Sequence, residues 1–162
     1  MAAYNAEMNR RLYTAADGLE EGIRRADGGA FFGGIQATLN HLLWGDAMWM
    51  HRFDGWEKPA VSITDSPCFL AEWPRMQATR ADYDARIEAW AAGLAECDLA
   101  GDVTWFSGAA GREMTRPRWL LVSHIFNHQT HHRGQAHALL TRAGAASGAT
   151  DLPWVIPPEA WA

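Results

Sequence analysis

The sequence near the end of the chain reads Asn127-His128-Gln129-Thr130-His131-His132-Arg133-Gly134-Gln135, within an apolar segment over residues 119–140. Four of the seven histidines lie between His124 and His132. Imidazole is the commonest protein ligand of first-row transition metals, and residues four apart lie on the same side of a helix. The spacing therefore predicts a helix that offers two metal ligands, either His128 with His132 or His124 with His128.

A helical wheel ranks these histidines by the direction in which they point. The apolar residues that define the inward direction are Leu121, Val122, Ile125, Ala136, Leu139 and Leu140. At about 100° per residue, His132 lies roughly 30° from that direction and His128 roughly 70° from it. His124, His131 and His137 lie more than roughly 100° away, at the edge or beyond. The wheel therefore predicts that His128 and His132 face the interior, with His124 in reserve.

A third ligand has to come from another segment, because two histidines on one helix do not complete a metal site. His41 is the best candidate, since it lies in a second apolar segment over residues 35–53. His51 lies roughly 80° round that helix from His41 and is not expected to join it. An alternative stays open, in which buried histidines satisfy their nitrogens with hydrogen bonds and hold no metal.

Other metal motifs are missing from the sequence. Gln129 follows His128, so the HExxH motif of zinc proteases is absent. No acidic residue lies between His124 and Ala143, which removes the Glu-x-x-His pattern of di-iron bundles from this segment. Cysteine clusters for a structural zinc are absent too. The remaining expectation is a mononuclear three-histidine site with an open coordination position.

Length and composition restrict the class of protein. A chain of 162 residues, 48% hydrophobic and 20% charged, is typical of a soluble globular protein, and we expect a single domain over residues 1–162. The formal net charge of −5 argues against a nucleic-acid partner. The apolar runs are short and none follows a basic N-terminal stretch, so we expect neither a membrane span nor a signal peptide. Cys68 and Cys97 form no CxxC and are expected to be reduced thiols in a cytoplasmic protein.

Hydrophobic periodicity predicts four long helices, and hence an all-α four-helix bundle. Their predicted ranges are 3–16, 35–53, 70–97 and 117–143, with a further short turn over 19–26 and a long loop over 54–68. Before the last helix, residues 103–106 and 113–115 flank a glycine-rich segment, which predicts a short hairpin or an extended crossover. The tail carries Pro153, Pro157 and Pro158 and is predicted to be irregular.

Two segments of the chain carry a family resemblance. They are Leu39-Asn40-His41-Leu42-Leu43-Trp44-Gly45-Asp46 and the stretch from His124 to Gln135, and both closely resemble the DinB/YfiT-like superfamily. This is the damage-inducible DinB of Gram-positive bacteria, and not the polymerase of the same name. The first helix is similar as well, and the resemblance covers about residues 3–143. An HxxxHRGQ motif combined with an upstream NHLxxxD segment is specific.

The resemblance implies a four-helix bundle in an up-down-down-up arrangement that is often dimeric and holds one divalent metal, zinc or nickel. The family's ligand triad corresponds to His41, His128 and His132. Some members are transferases that use the thiols bacillithiol or mycothiol, and a related branch includes a mycothiol-dependent maleylpyruvate isomerase. For this chain the resemblance therefore implies a homodimer, and it makes a low-molecular-weight thiol and an electrophilic small molecule candidate reactants, with glutathione as consistent with the residues as the two named thiols.

Three neutral imidazoles leave the charge of a divalent metal uncompensated, so that a bound water or thiol loses its proton near neutral pH. We therefore expect a metal-dependent enzyme that transfers a thiol to a small electrophile. Two alternatives stay open, namely metal-dependent hydrolysis and a non-catalytic, metal-stabilised dimeric bundle.

Several polar residues near the expected ligands are candidates for supporting roles. Asn40, Asp46 and Gln135 are candidates for orienting the ligand imidazoles. Arg133 is a candidate for binding an anionic group, although a salt bridge at the surface or between helices also explains it. His124 and His131 are candidate proton carriers or ordinary helix-edge histidines.

Overall fold

The computed structural model describes residues 1–157, which are mostly helical with one small two-stranded sheet. The helices are α1 (Ala2–Asp17), α2 (Glu21–Arg25), α3 (Ile35–Asp54), α4 (Trp73–Ala92), α5 (Arg118–Arg142) and α6 (Leu152–Val155). The strands are β1 (Asp102–Ser107) and β2 (Arg112–Pro117), and short 3-10 turns cover Ser66–Cys68 and Glu96–Leu99. Three of the four predicted long helices begin and end within one residue of the prediction.

The four long helices pack pairwise around a shared core. Helix α3 packs against α4 and α5, and α1 packs against the same two helices. The most deeply buried side chains come from all four helices: Leu12, Leu39, Leu42, Leu43, Met50, Met76, Ile87, Ile125 and Leu140. Apolar residues lie on most sides of α3, because this helix packs against two long helices. For the same reason its polar residues His41 and Asp46 are buried.

Helix α4 is shorter than the periodicity predicted. It begins at Trp73, with Pro74 in its first turn, and ends at Ala92. After Gly93, the Asp98 carboxylate accepts a hydrogen bond from the Ala95 backbone N–H and starts a separate 3-10 turn. The predicted range of 70–97 was therefore wrong at its C-terminal end, because this local hydrogen bond competes with a further turn of α-helix.

The segment before α5 is the predicted hairpin and not an extended crossover. Strands β1 and β2 are antiparallel, with Thr104 opposite Thr115 and their hydroxyls 2.8 Å apart. Trp105 on β1 makes an edge contact with Trp49 on α3, with ring centroids 5.6 Å apart. The hairpin therefore covers the C-terminal half of α3.

The connection between α3 and α4 is anchored by one asparagine side chain. Asn40 donates hydrogen bonds to the carbonyls of Pro67 (3.1 Å) and Leu70 (2.8 Å) and accepts one from the Leu70 N–H (3.0 Å). These bonds hold the 3-10 turn against α3 and bring Ser66 beside His41.

Up to residue 157, the tail is more ordered than predicted. Helix α6 occupies 152–155, and Val155 and Ile156 form a small cluster with Tyr4 and Met8 of α1. Pro153 lies in the first turn of α6, where proline costs no hydrogen bond, and this explains why proline content misled the prediction. Pro158 lies outside the described residues. Within residues 1–157, no helix is long and apolar enough to cross a membrane.

Candidate metal centre

Three histidines from two helices meet at one point between α3 and α5. Each of His41, His128 and His132 offers an imidazole nitrogen, and these nitrogens all lie within 4.8 Å of one another. The Nε2 atoms of His41 and His128 are 3.1 Å apart. Two imidazole nitrogens bound to one tetrahedral zinc at about 2.05 Å lie about 3.3 Å from each other. The donor set and its spacing therefore fit a divalent metal.

Ser66 fixes the tautomer of His41. The Ser66 hydroxyl donates its single proton to the Ile63 carbonyl at 2.7 Å, so its oxygen has to accept at the 2.8 Å contact with His41 Nδ1. The proton of His41 is thereby placed on Nδ1, which leaves the lone pair of Nε2 free to bind a metal. An orienting hydrogen bond of this kind is typical of histidine ligands in metal sites.

Gln135 has the corresponding role for His132. One turn further along α5, its Oε1 accepts a hydrogen bond from His132 Nδ1 at 2.9 Å. An amide oxygen accepts and does not donate, so the Nε2 lone pair of His132 is free as well. Gln135 was among the candidates for orienting a ligand, and the structure places it on one.

His128 fits beside a glycine of the neighbouring helix. A Cβ atom at Gly45 would lie 3.1 Å from Cε1 and 3.5 Å from Nδ1 of the His128 ring. The absence of a side chain at this position of α3 therefore makes room for the imidazole of α5.

The three imidazoles are held in the neutral form that binds metals. Burial, with a smaller contribution from the neighbouring histidines, lowers the pKa of His41 to about 3 and the pKa of His128 to about 3. Burial also lowers the pKa of His132, against the opposing effect of its hydrogen bond to Gln135. Protons therefore compete weakly for these nitrogens at neutral pH.

The three histidines lie in the wall of an open cleft of about 800 Å³. The cleft lies between the loop before Ser66 and the tip of the β1–β2 hairpin, and its walls are rich in aromatic rings: Phe31, Phe32, Trp44, Trp49, Trp105 and Phe106. Phe32 stacks directly on His41, with ring centroids 3.8 Å apart. The cleft has the volume of a small-molecule site, and the three histidines are among its lining residues.

The remaining histidines lie outside the cluster. His131 is exposed and contacts the ring of His132, and His124 lies at the cleft edge with its ring 5.7 Å from His128. His51 faces its own loop, with Nδ1 2.8 Å from the Trp56 carbonyl. His137 contacts Ser147. The reserve ligand His124 is therefore not part of the group.

Asn40 and Asp46, two of the candidates for orienting the imidazoles, form their hydrogen bonds with other partners. Asn40 binds the 66–70 segment instead and acts on His41 only through the placement of Ser66. Asp46 accepts hydrogen bonds from Gln129 of α5 at 2.6 Å and from Arg80 of α4 at 2.7 Å. Both residues belong to the packing of helices and loops around the site, because their side chains point away from the ring nitrogens.

Arg133 lies outside the lining of the cleft and pairs with an amide, so that the salt bridge predicted for it is absent within residues 1–157. It is buried, donates to the side chain of Asn5 on α1 and to Thr130, and lies over the Tyr4 ring. It forms no ion pair with a carboxylate of residues 1–157 and does not line the cleft. The predicted salt bridge is in fact an inter-helix hydrogen bond to an amide.

The sequence reasoning missed Ser66 and Gly45. Ser66 is fully buried but lies in a short 3-10 turn of the connection between α3 and α4, and no periodicity predicts which residue of that connection reaches a ring on α3. Gly45 had a local signal, since a glycine inside an apolar helix costs about 1 kcal/mol relative to alanine and usually marks a close approach.

Comparison with known proteins supports the resemblance described above. A family model described as "DinB family" matches residues 1–161. No curated protein and no solved structure gives a significant match to the chain. Because the family match extends over nearly all of the chain and includes both histidine-bearing helices, the protein belongs to the DinB family.

Proposed function

We propose that this protein is a metal-dependent enzyme in which His41, His128 and His132 hold one zinc or nickel ion. The observation that carries the proposal is the convergence of three neutral imidazoles, within 4.8 Å of one another, in the wall of an open cleft. A protein that used a metal only for stability would not require an approach from solvent. In this proposal the chain is a single domain, and its four long helices form a four-helix bundle in the up-down-down-up arrangement.

The proposed reaction is the transfer of a low-molecular-weight thiol to a small electrophile. A divalent metal with three histidine ligands lowers the pKa of a thiol or water at its open position. The protein's own residues hold the ligands: Ser66 and Gln135 keep the Nδ1 protons of His41 and His132 engaged. The aromatic walls of the cleft offer an apolar surface on which a small electrophile packs beside the histidines.

Metal content tests the first part of the proposal. We expect about one equivalent of zinc or nickel in the wild-type protein, and at least a tenfold loss of affinity in His41→Ala and His128→Ala, because each removes a ligand. His131→Ala is the matched control, since His131 adjoins the cluster without joining it, and this variant should retain the metal. Equal metal content in all four proteins would contradict the assignment.

Thiol binding tests the second part. In cobalt-substituted protein, titration with glutathione or 2-mercaptoethanol should produce a thiolate-to-cobalt charge-transfer band. A band followed by consumption of an electrophile identifies a transferase. Ester hydrolysis without any thiol-dependent band would instead favour the hydrolase alternative, which the open metal position also allows.

The homodimer is part of the proposal and rests on the family resemblance alone. Sedimentation equilibrium of the purified protein tests it directly. A mass near 17.9 kDa at all concentrations would contradict it.

A further inference from the structure

The cleft beside the three histidines carries positive and no negative side chains. Arg52 and Lys58 line it, and none of its lining residues within 1–157 is Asp or Glu. The chain as a whole has a formal net charge of −5. A cationic concave surface on an acidic protein therefore concentrates anions beside the histidines.

Among residues 1–157, Arg52 has no hydrogen-bond acceptor for its guanidinium, unlike the other arginines that are not fully exposed. It is only partly exposed, yet within residues 1–157 no oxygen accepts a hydrogen bond from its guanidinium and no carboxylate pairs with it. The other arginines that are not fully exposed each donate to an oxygen: Arg11, Arg24, Arg80, Arg118 and Arg133. A partly desolvated guanidinium without an acceptor favours the binding of an anion.

Aromatic contacts hold this guanidinium in place. Its carbon Cζ lies 4.4 Å from the ring centroid of Trp49 and 5.6 Å from that of Trp105. Contacts with aromatic rings engage the faces of the planar group and leave its N–H edges free. Those edges match the two oxygens of a carboxylate.

A row of rings connects Arg52 with the candidate metal centre. The ring of Trp49 lies 5.2 Å from that of His124, and the ring of His124 lies 5.7 Å from that of His128. All three rings line the same cleft as Arg52. The row therefore offers aromatic surface for a flat apolar body between the guanidinium and the three histidines.

We propose that Arg52 is the residue that recognises a carboxylate on a small, flat, largely apolar reactant of this protein. The inference rests on the proposed function in one respect only, namely that the bound acid is a reactant. Binding of the carboxylate to Arg52 itself needs no metal. The carboxylate belongs either to the electrophile or to the thiol, since both present the same chemistry to a guanidinium.

Calorimetric titration with matched acids and neutral analogues tests the proposal. Cinnamate and cinnamide share a flat apolar body and differ in the carboxylate. We expect cinnamate to bind at least about tenfold more tightly, which is the usual contribution of a charge-assisted hydrogen bond. Arg52→Gln should abolish this preference, and Arg52→Lys, which keeps the charge without the planar fork, should retain part of it. Arg75→Gln, at an exposed arginine outside the cleft, should behave as wild type.

A second pair of probes distinguishes the two sources of the carboxylate. The probes are 3-mercaptopropionate and 2-mercaptoethanol, titrated into the zinc-loaded protein. If 3-mercaptopropionate binds more tightly than 2-mercaptoethanol and Arg52→Gln removes that difference, the carboxylate belongs to the thiol. If the Arg52-dependent difference appears with cinnamate and cinnamide, the carboxylate belongs to the electrophile. The absence of an Arg52-dependent preference in both pairs overturns the inference.

Metal-free wild-type protein separates this inference from the proposed function. Cinnamate should keep its Arg52-dependent preference there, even if the protein proves to bind no metal at all. A preference that survives Arg52→Gln but disappears on removal of the metal would mean that the carboxylate binds the metal, and this would overturn the role of Arg52.

Discussion

At the candidate metal centre, individual residues matter both for the atoms that they contact and for the atoms or volume that they leave free. Ser66 and Gln135 engage the Nδ1 atoms of two ligands, so that both Nε2 atoms keep a free lone pair. Gly45 leaves the volume that the third ring occupies. Each of these effects concerns one atom or one missing atom, and each can be tested by a single substitution.

Gly45→Ala should weaken metal binding without unfolding the protein. The added Cβ would lie 3.1 Å from Cε1 of His128, so that the ring has to shift from the position in which its Nε2 lies beside that of His41. We expect at least a tenfold loss of metal affinity in a competition titration. The free energy of unfolding of the metal-free protein should change by less than about 1 kcal/mol, because the helix gains from alanine what the contact costs.

Gly134→Ala is the control for this experiment. Gly134 lies on α5, close to the ligands in sequence, but a Cβ there meets nothing within 4 Å. The variant should be stabilised by up to about 1 kcal/mol with unchanged metal affinity. Equal metal affinity in both glycine variants would contradict the role given to Gly45.

At the scale of elements, buried polar contacts determine how α5 lies against α3 and α4. Gln129 lies between the two ligands of α5 in sequence, yet its side chain points into the core. There it donates to Asp46 of α3, which is also paired with Arg80 of α4. The position that would hold the glutamate of an HExxH motif is thus used for packing, and this explains why glutamine occupies it.

Gln129→Glu should destabilise the fold, and it should not add a general base to the cleft. The new carboxylate would lie against the carboxylate of Asp46, at a contact that is 2.6 Å long with glutamine. We expect the free energy of unfolding in urea to fall by about 2 kcal/mol or more. The matched background for the same substitution is the Asp46→Asn variant, because it removes the repulsion between the two carboxylates. An equal effect of Gln129→Glu in both backgrounds would show that the contact with Asp46 is not the cause.

At the scale of the whole molecule, burial of the histidines links stability to pH. The pKa of His41 and the pKa of His128 are each lowered to about 3 in the fold, against an ordinary value of about 6.5 in the unfolded chain. At pH values between about 3 and about 6.5, these two histidines bind protons in the unfolded state but not in the folded state. Stability is therefore fully present above about pH 6.5 and falls as the pH decreases toward 3.

Metal-free protein should lose up to about 1.4 kcal/mol of stability per pH unit for each of these two histidines below pH 6.5. Urea denaturation between pH 7 and pH 5 measures this slope. The double variant His41→Gln, His128→Gln should show a smaller slope, and the comparison cancels the contribution of the carboxylates. An identical slope in both proteins would contradict the burial of neutral imidazoles.

The helices show where sequence reasoning succeeds and where it fails. The bounds of α1, α3 and α5 follow from apolar residues that repeat at helical spacing, which is a local property. The end of α4 depends on the Asp98 carboxylate, and α6 depends on contacts with Tyr4 and Met8. Those interactions compete with or add to local propensity, so periodicity alone does not predict them.

The sequence alone determined the four long helices, the resemblance to the DinB family, and the trio His41, His128 and His132 as candidate ligands. Helical spacing selected the helices and the pair His128 and His132, because it acts within a few residues of the chain, whereas the family and its triad follow from the matching motifs. Only the tertiary structure decided that Ser66 orients His41, that Gly45 accommodates His128, and that Arg52 lines the same cleft without an acceptor among residues 1–157. These relations join segments that are distant in sequence. Only the packing of α3 against α5 and of the loops over α3 determines which side chains meet.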